Sequence, residues 1–333
     1  MTVAGPAVET AELQAAGGQP VQRNKIKTGE SRLALSLVGP TVILLILVVG
    51  YPILKGIWSS LHTDSAGKID PKTGFLSKGG SWAGITNYKH WLLERCGTVS
   101  CPPGTTGSLF YASIRTTLLF TVVTVVLETV IGMGFALVMN REFKGRSIVR
   151  ASILIPWAIP TAVTTKMWVV IFQPAGILNR VLHTHFLWTS SSGPQRAAII
   201  MADTWKTTPF IALLLLAGLQ GISADIYESA RMDGANAWQR FTKITLPLVR
   251  PALAVAVIFR TLDALRMYDL PQIFAGGANG TTTISILVVN ELTSAQNSAS
   301  ALSTISFVFI FAIALGMVKL FNANIGGKAA GLK

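Results

Sequence analysis

The sequence predicts an all-α polytopic membrane protein with six transmembrane helices. First, 50% of the 333 residues are hydrophobic and only 13% are charged, against about 25% charged in an ordinary soluble domain. Second, the apolar residues come in long blocks separated by short charged patches, giving a mean hydropathy of +0.52. Third, the blocks exceed strand length and no regular run of short alternating segments occurs, which argues against an outer-membrane barrel. The formal net charge of +13 would suggest nucleic acid in a soluble chain. Here the basic residues cluster beside apolar blocks, where they orient a membrane protein, and no nucleic-acid partner is expected.

Residues 1–32 are rich in small and polar types and read as a flexible cytoplasmic tail ending in Arg23, Lys25, Lys27 and Arg32. The block LALSLVGPTVILLILVVGYPILKGIW, 33–58, is longer than the apolar region of a signal peptide and is closed by no small-residue cleavage pattern. It is therefore a retained first span, with Pro40 and Pro52 near its ends. A polar interval, 59–108, follows, and further spans are expected at 109–139, 148–172, 197–219, 249–274 and 301–322, with a tail at 323–333. Six spans return both termini to one side. The segment 140–150 carries Arg141, Lys144, Arg146 and Arg150, the loop 220–248 carries Arg231, Arg240 and Lys243, with Arg250 just beyond it, and the end of the chain carries Lys319, Lys328 and Lys333. The positive-inside rule puts all of these in the cytoplasm with both termini, leaving 59–108, 173–196 and 275–300 outside.

The two cysteines, Cys96 and Cys101, share the first outward loop. They form either a disulfide, suited to an oxidising exterior, or a pair of free thiols. Their spacing fits no metal set and no histidine cluster accompanies them.

The stretch DIYESARMDGANAWQRFTKITLPLVRP, 225–251, is charged in a chain that is otherwise mostly apolar. Asp225 and Glu228 have capping-box spacing, opening a short helix that runs from 226 to about 232. Gly234 permits a sharp change of direction. A second short helix would carry Trp238, Phe241 and Ile244 along one side, and Pro247 and Pro251 mark the entry to the fifth span. Small and aromatic residues (Tyr227, Ala230, Ala237, Trp238, Phe241) between two spans either rest among lipid headgroups or fill the cleft of a partner.

Ionisable residues also fall inside predicted spans, where each is costly unless it meets a partner or a wet cavity. Arg260, Asp263, Arg266 and Asp269 recur at steps of three and form either an ion ladder along one helix face or part of a polar path. Asp203 and Lys206 carry the same two readings, and Glu128 and Lys166 are candidates for a pair between helices. No G-x-x-x-x-G-K-[S/T] occurs, so the chain has no phosphate cradle and is not expected to be an enzyme.

The string E-S-A-x-x-x-G, nine residues and I-T-L-P, spanning Glu228 to Pro247, resembles the EAA motif of ABC importer permeases, with Ser229 where alanine is usual. The runs NREFKGRSIVR, IPWAIP, WKTTPF and FRTLDALRMYDLPQIFAGG are similar to the carbohydrate-uptake branch of that family, which includes the maltose and glycerol-phosphate systems. The resemblance covers most of 33–322 and implies a type I ABC importer permease fold there, with 59–108 as extracytoplasmic loop and 220–248 as cytoplasmic coupling loop. It implies that Tyr227, Glu228, Ser229, Ala230, Asp233, Gly234, Ala235, Trp238, Phe241, Leu246 and Pro247 form a docking surface for a separate ATPase. Asp203, Lys206, Arg260, Asp263, Arg266 and Tyr268 become candidates for the substrate path, and Trp157, Trp168, Trp205 and Tyr268 for stacking on a sugar ring.

The implied partners are a homologous second permease, an ATPase dimer holding ATP and Mg2+, an extracytoplasmic sugar-binding lipoprotein or periplasmic protein, and the lipid of a bacterial plasma membrane. This chain itself would bind no cofactor and no metal. Trehalose is the implied disaccharide, with maltose-type oligosaccharides or glycerol-3-phosphate as alternatives. A distinct alternative is an ion-coupled secondary transporter, which the intramembrane charges invite.

Overall fold

The computed structural model describes residues 28–64, 80–93 and 106–329. Cys96, Cys101 and most of the two tails lie outside the described residues. The chain divides into two compact units after Lys55.

The first span is built from α1 (Thr28–Leu45), a π turn at Ile46–Gly50 and α2 (Tyr51–Ser60). Pro52 lacks the amide that would bond the carbonyl four residues back, and the helix widens just before it. The apolar stretch Ser36–Ser60 has a mean hydropathy of 2.4 and none of its most apolar window is buried. An apolar helix so bare needs lipid or another chain around it.

The rest of the chain supplies α3 (Thr86–Leu92), α4 (Thr106–Asn140), α5 (Arg146–Ala158), α6 (Thr161–Ile171), α7 (Ile177–Leu182) and α8 (Ser192–Gln220). It continues with α9 (Ala224–Met232), α10 (Ala237–Arg240), a π turn at Phe241–Thr245, α11 (Leu246–Ala264), α12 (Asp269–Ala275), α13 (Ile284–Ser294) and α14 (Gln296–Ala329). Among the described residues five helices are long and apolar enough to cross a membrane, and the bent pair α5 and α6, counted as one span, brings the number to six. Outside helices, the described residues hold one isolated bridge, His62 with Trp82. The fold is all-α and polytopic.

The packing centre is α8, with 61% of its apolar window buried. Ile211, Leu215 and Leu219 meet Met133, Ala136 and Met139 of α4 and Val249 and Ala256 of α11. Gly218 lets α8 and α11 approach closely. A Cβ there would lie 2.5 Å from the Cβ of Ala252 and 2.9 Å from a Val249 methyl, so only glycine fits.

Several predicted elements differ. The third span is not one helix over 148–172: it breaks by 94° between Ala158 and Thr161. Pro160 forces the residue before it out of the helical region, and Ile159 is extended at φ −76, ψ 133. The fifth span does not run over 249–274. It starts at Ala237, carries through the π turn, and ends at Ala264. Tyr268, at φ −127, ψ −60, breaks the path before α12, while Thr283 Oγ1 donates to the carbonyl of Met267 at 2.8 Å and holds the turn. Part of the interval expected as an outer loop, 275–300, is helix α13.

The start of α14 is capped from far away in sequence. Asp64 accepts from the amides of Asn297 at 2.6 Å and Ser298 at 2.9 Å, satisfying donors that a helix start leaves open. Trp91, buried on α3, donates to Ser298 Oγ at 3.1 Å beside it.

Candidate functional site

Between α8 and α11 the chain makes a short-helix hairpin. The cap of α9 is Ser223, whose Oγ accepts from the amide of Asp225 at 3.3 Å. The expected Asp225–Glu228 box is therefore absent. The helix begins at Ala224, so Asp225 already lies in its first turn, where its charge suits the dipole but its position cannot cap. The capping box belongs instead to α10: Asn236 Oδ1 accepts from the Gln239 amide and Gln239 Oε1 from the Asn236 amide, both at 2.8 Å. At the other end of α9, Gly234 is left-handed at φ +76, with open space where a Cβ would stand. The amide of Ala235 bonds the carbonyl of Ala230 at 2.9 Å and that of Gly234 bonds Arg231 at 3.0 Å. This double closure is a Schellman motif, and it requires the left-handed residue that glycine supplies.

The hairpin sorts its residues by exposure. Glu228, Ser229, Asp233 and Gly234 face outward, as do Ile226 (42% exposed), Met232 (89%) and Trp238 (72%). Tyr227, Ala230, Ala235, Phe241, Leu246 and Pro247 are half-buried, and Phe241 and Leu246 pack on the core beneath α8. Sequence reasoning singled out Trp238 but missed Ile226 and Met232. A methionine or isoleucine on a short helix reads as core, and only the fold reveals that these two have no core to enter.

The second constellation lies within the bundle. Arg260 of α11, 2% exposed, donates through Nε to Glu128 Oε2 at 2.5 Å and through Nη2 to Glu128 Oε1 at 3.0 Å. Nη2 also contacts Asp203 Oδ2, and Nη1 donates to Asp263 Oδ2 at 2.8 Å. Thr207 adds a hydroxyl donor to Glu128 Oε1 at 2.5 Å. One guanidinium thus ties α4, α8 and α11 together through three carboxylates. Lys206, also buried, donates to the carbonyl of Ile159 at 2.9 Å, the group laid bare by the break between α5 and α6. The expected Glu128–Lys166 pair does not form: Glu128 is committed to Arg260, and Lys166 is exposed.

The ladder of four alternating charges is likewise only half present. Arg260 and Asp263 pair across one turn, but the helix ends at Ala264, so Arg266 and Asp269 leave its face and are exposed. Of the six path candidates, Asp203, Lys206 and Arg260 are internal to the bundle, whereas Asp263, Arg266 and Tyr268 reach its surface; the side chain of Asp263 is 69% exposed. Arg266 and Tyr268 share an apolar groove of about 530 Å³ with Leu262, Ser303 and Phe307. Trp168 and Trp205 line a different groove of about 720 Å³ and meet edge to face at 5.8 Å, while Trp157 stacks on Phe210 at 6.1 Å. The four aromatic candidates are not brought to one place. No group of three His, Cys, Asp or Glu side chains able to hold a metal occurs among the described residues.

Five to six apolar spans among the described residues, with a short-helix hairpin between two of them, are consistent with a multi-pass membrane protein of the type I ABC importer permease fold. The same fold occurs in a bacterial ABC transporter involved in the import of the acidic polysaccharide alginate, which superposes with a TM-score of 0.70 at 21% identity, covering 89% of this chain and 96% of that one. Residues 128–326 match the family described as binding-protein-dependent transport system inner membrane component, and the chain belongs to that family. Its role is accordingly that of a transport permease. It is 36% identical to the trehalose/maltose transport system permease protein MalF of Thermococcus litoralis, over 89% of this chain and 96% of the relative. It is also 36% identical to the trehalose transport system permease protein SugA of Mycobacterium tuberculosis, over 93% and 95%. The sulfoquinovosyl glycerol transport system permease protein SmoG of Agrobacterium fabrum is 34% identical over 78% and 79%. No one relative stands apart.

Proposed function

We propose that the chain is a membrane subunit of an ATP-driven importer of a neutral disaccharide, trehalose first, and that its α9–α10 hairpin receives a separate ATPase. The observation that carries this reading is the exposure of Ile226, Met232 and Trp238 on a hairpin whose ends are closed by a Schellman motif and a capping box. Large apolar side chains on a pre-formed, charged platform are what an interface hot spot needs. The family membership supplies the transport role, and the names of the 36% identical relatives support trehalose, with maltose-type sugars as the second reading.

In this reading the chain forms half of a path with a second permease, an ATPase dimer works on its cytoplasmic side, and a binding protein delivers sugar outside. The basic residues Arg141, Lys144, Arg146 and Arg150 support a cytoplasmic position for the α4–α5 turn, and with it for both termini. A carboxylate as open as Asp263, one turn from the buried end of its pair, cannot face hydrocarbon. That supports the face of α11 bearing Asp263 as polar lining for sugar hydroxyls, with Arg266 and Tyr268, beyond the helix end, in the neighbouring groove as further candidates. The buried Asp203, Lys206 and Arg260 support that lining from behind. Uptake of labelled trehalose in a deletion strain complemented with this gene, in competition with unlabelled trehalose or maltose, tests the substrate. Trehalose is expected to compete best, and stronger competition by maltose selects the second reading.

A further inference from the structure

At the foot of α11 the regular backbone ladder is interrupted. Phe241–Thr245 is a π turn, and Pro247 follows it without an amide to donate. A hinge at this point would let α9 move while the span stayed still. Side chains close the gap. Thr245, 4% exposed, directs its hydroxyl to the carbonyl of Arg240 at 3.3 Å and lies 3.0 Å from the hydroxyl of Tyr227. A hydroxyl has one hydrogen to give. With that of Thr245 on Arg240, Tyr227 is the donor and Thr245 Oγ1 the acceptor. The guanidinium of Arg240 in turn donates to the carbonyl of Ala235 at 2.5 Å, and the amide of Ala235 returns to Ala230 on α9. The hydrogen bonds run in a closed circuit from α9 to the foot of α11 and back.

We propose that Tyr227 is a positioning residue, a strut that carries the motion of α9 across the π turn into α11. This role rests on α9–α10 being the ATPase-docking element, and it distinguishes Tyr227 from the outward residues that make the contact. From Thr245, α11 rises fifteen residues, about 22 Å, to Arg260 and the three-helix charge hub, so a shift transmitted at its foot reaches the centre of the bundle.

The test uses the complete transporter reconstituted in proteoliposomes, with sugar uptake and ATP hydrolysis measured together. Tyr227→Phe keeps the ring and is expected to leave co-purification of the ATPase unchanged while lowering sugar moved per ATP by about five- to tenfold, the factor set by one hydrogen bond. Thr245→Val is expected to do the same, the double variant to be no worse than either single one, and Thr245→Ser to restore coupling. Unchanged sugar per ATP in both single variants, or effects that multiply in the double variant, would overturn the strut. Loss of ATPase association in Tyr227→Phe would also overturn it, by placing the tyrosine in the contact itself. The docking reading beneath it fails separately, if Met232→Asp leaves association intact.

Discussion

The α9–α10 hairpin and the Arg260 hub both concentrate polar groups in an apolar chain, yet they are built on opposite terms. The hairpin holds its charges in water, uses local bonds between residues two to five apart, and leaves Met232 and Trp238 uncovered. The hub buries Arg260, Glu128 and Asp203, leaves only Asp263 open, and draws partners from 132 and 57 residues away. Local bonding makes a surface that keeps its own shape when gripped, with the Tyr227–Thr245 contact tying it to the foot of α11. Long-range bonding makes a joint that cannot lose one member without stranding the others, because an uncompensated buried charge is far costlier than an exposed one.

The largest expected effect is at the hub. Arg260→Met removes the one cation shared by Glu128, Asp203 and Asp263 and should destabilise the protein by about 3–5 kcal/mol, read as a lowered melting temperature of the detergent-solubilised chain. Adding Glu128→Gln and Asp203→Asn should restore part of the loss. Melting unchanged in the single variant would erase the contrast between the two regions. Next comes Met232→Asp, expected to weaken association with the ATPase by more than about 30-fold, as loss of a hot-spot residue does, with melting unaltered. A parallel loss of stability would mean that the hairpin is core after all.

Smaller effects sharpen the account of the hairpin itself. Gly234→Ala must adopt a left-handed backbone at a cost of about 1–2 kcal/mol, which should appear as faster amide hydrogen exchange at positions 234 and 235 and little change in global melting. Smallest is the cap: Ser223→Ala should cost about 1 kcal/mol of α9 stability, more than Asp225→Ala does. The reverse order would return the cap to Asp225.

The sequence made the spans legible because hydropathy is a property of each residue, and it made the hairpin legible because its motif is contiguous. It misplaced the cap by two residues, since Ser223 and Asp225 are both good caps and only the backbone decides which one stands outside the helix. The break at Ile159–Pro160 was hidden by apolar continuity on both sides, although the proline was in plain view. Arg260 and Asp263 were readable as a pair from spacing alone. Their joining to Glu128 and Asp203 was not, because it depends on how α4, α8 and α11 pack, close approaches that Gly132 in α4 permits against α8 and Gly218 in α8 permits against α11. Exposure of Met232 was invisible for the same reason.

On the proposed function, this chain couples a separate ATPase to movement of sugar across the membrane. The most direct test of that coupling is uptake of labelled trehalose into proteoliposomes holding the chain with its second permease, ATPase and binding protein. Uptake is expected to require ATP on the ATPase side, to fall to background with Met232→Asp, and to ignore an imposed proton or sodium gradient. Uptake that persists without ATP and follows such a gradient would contradict the account.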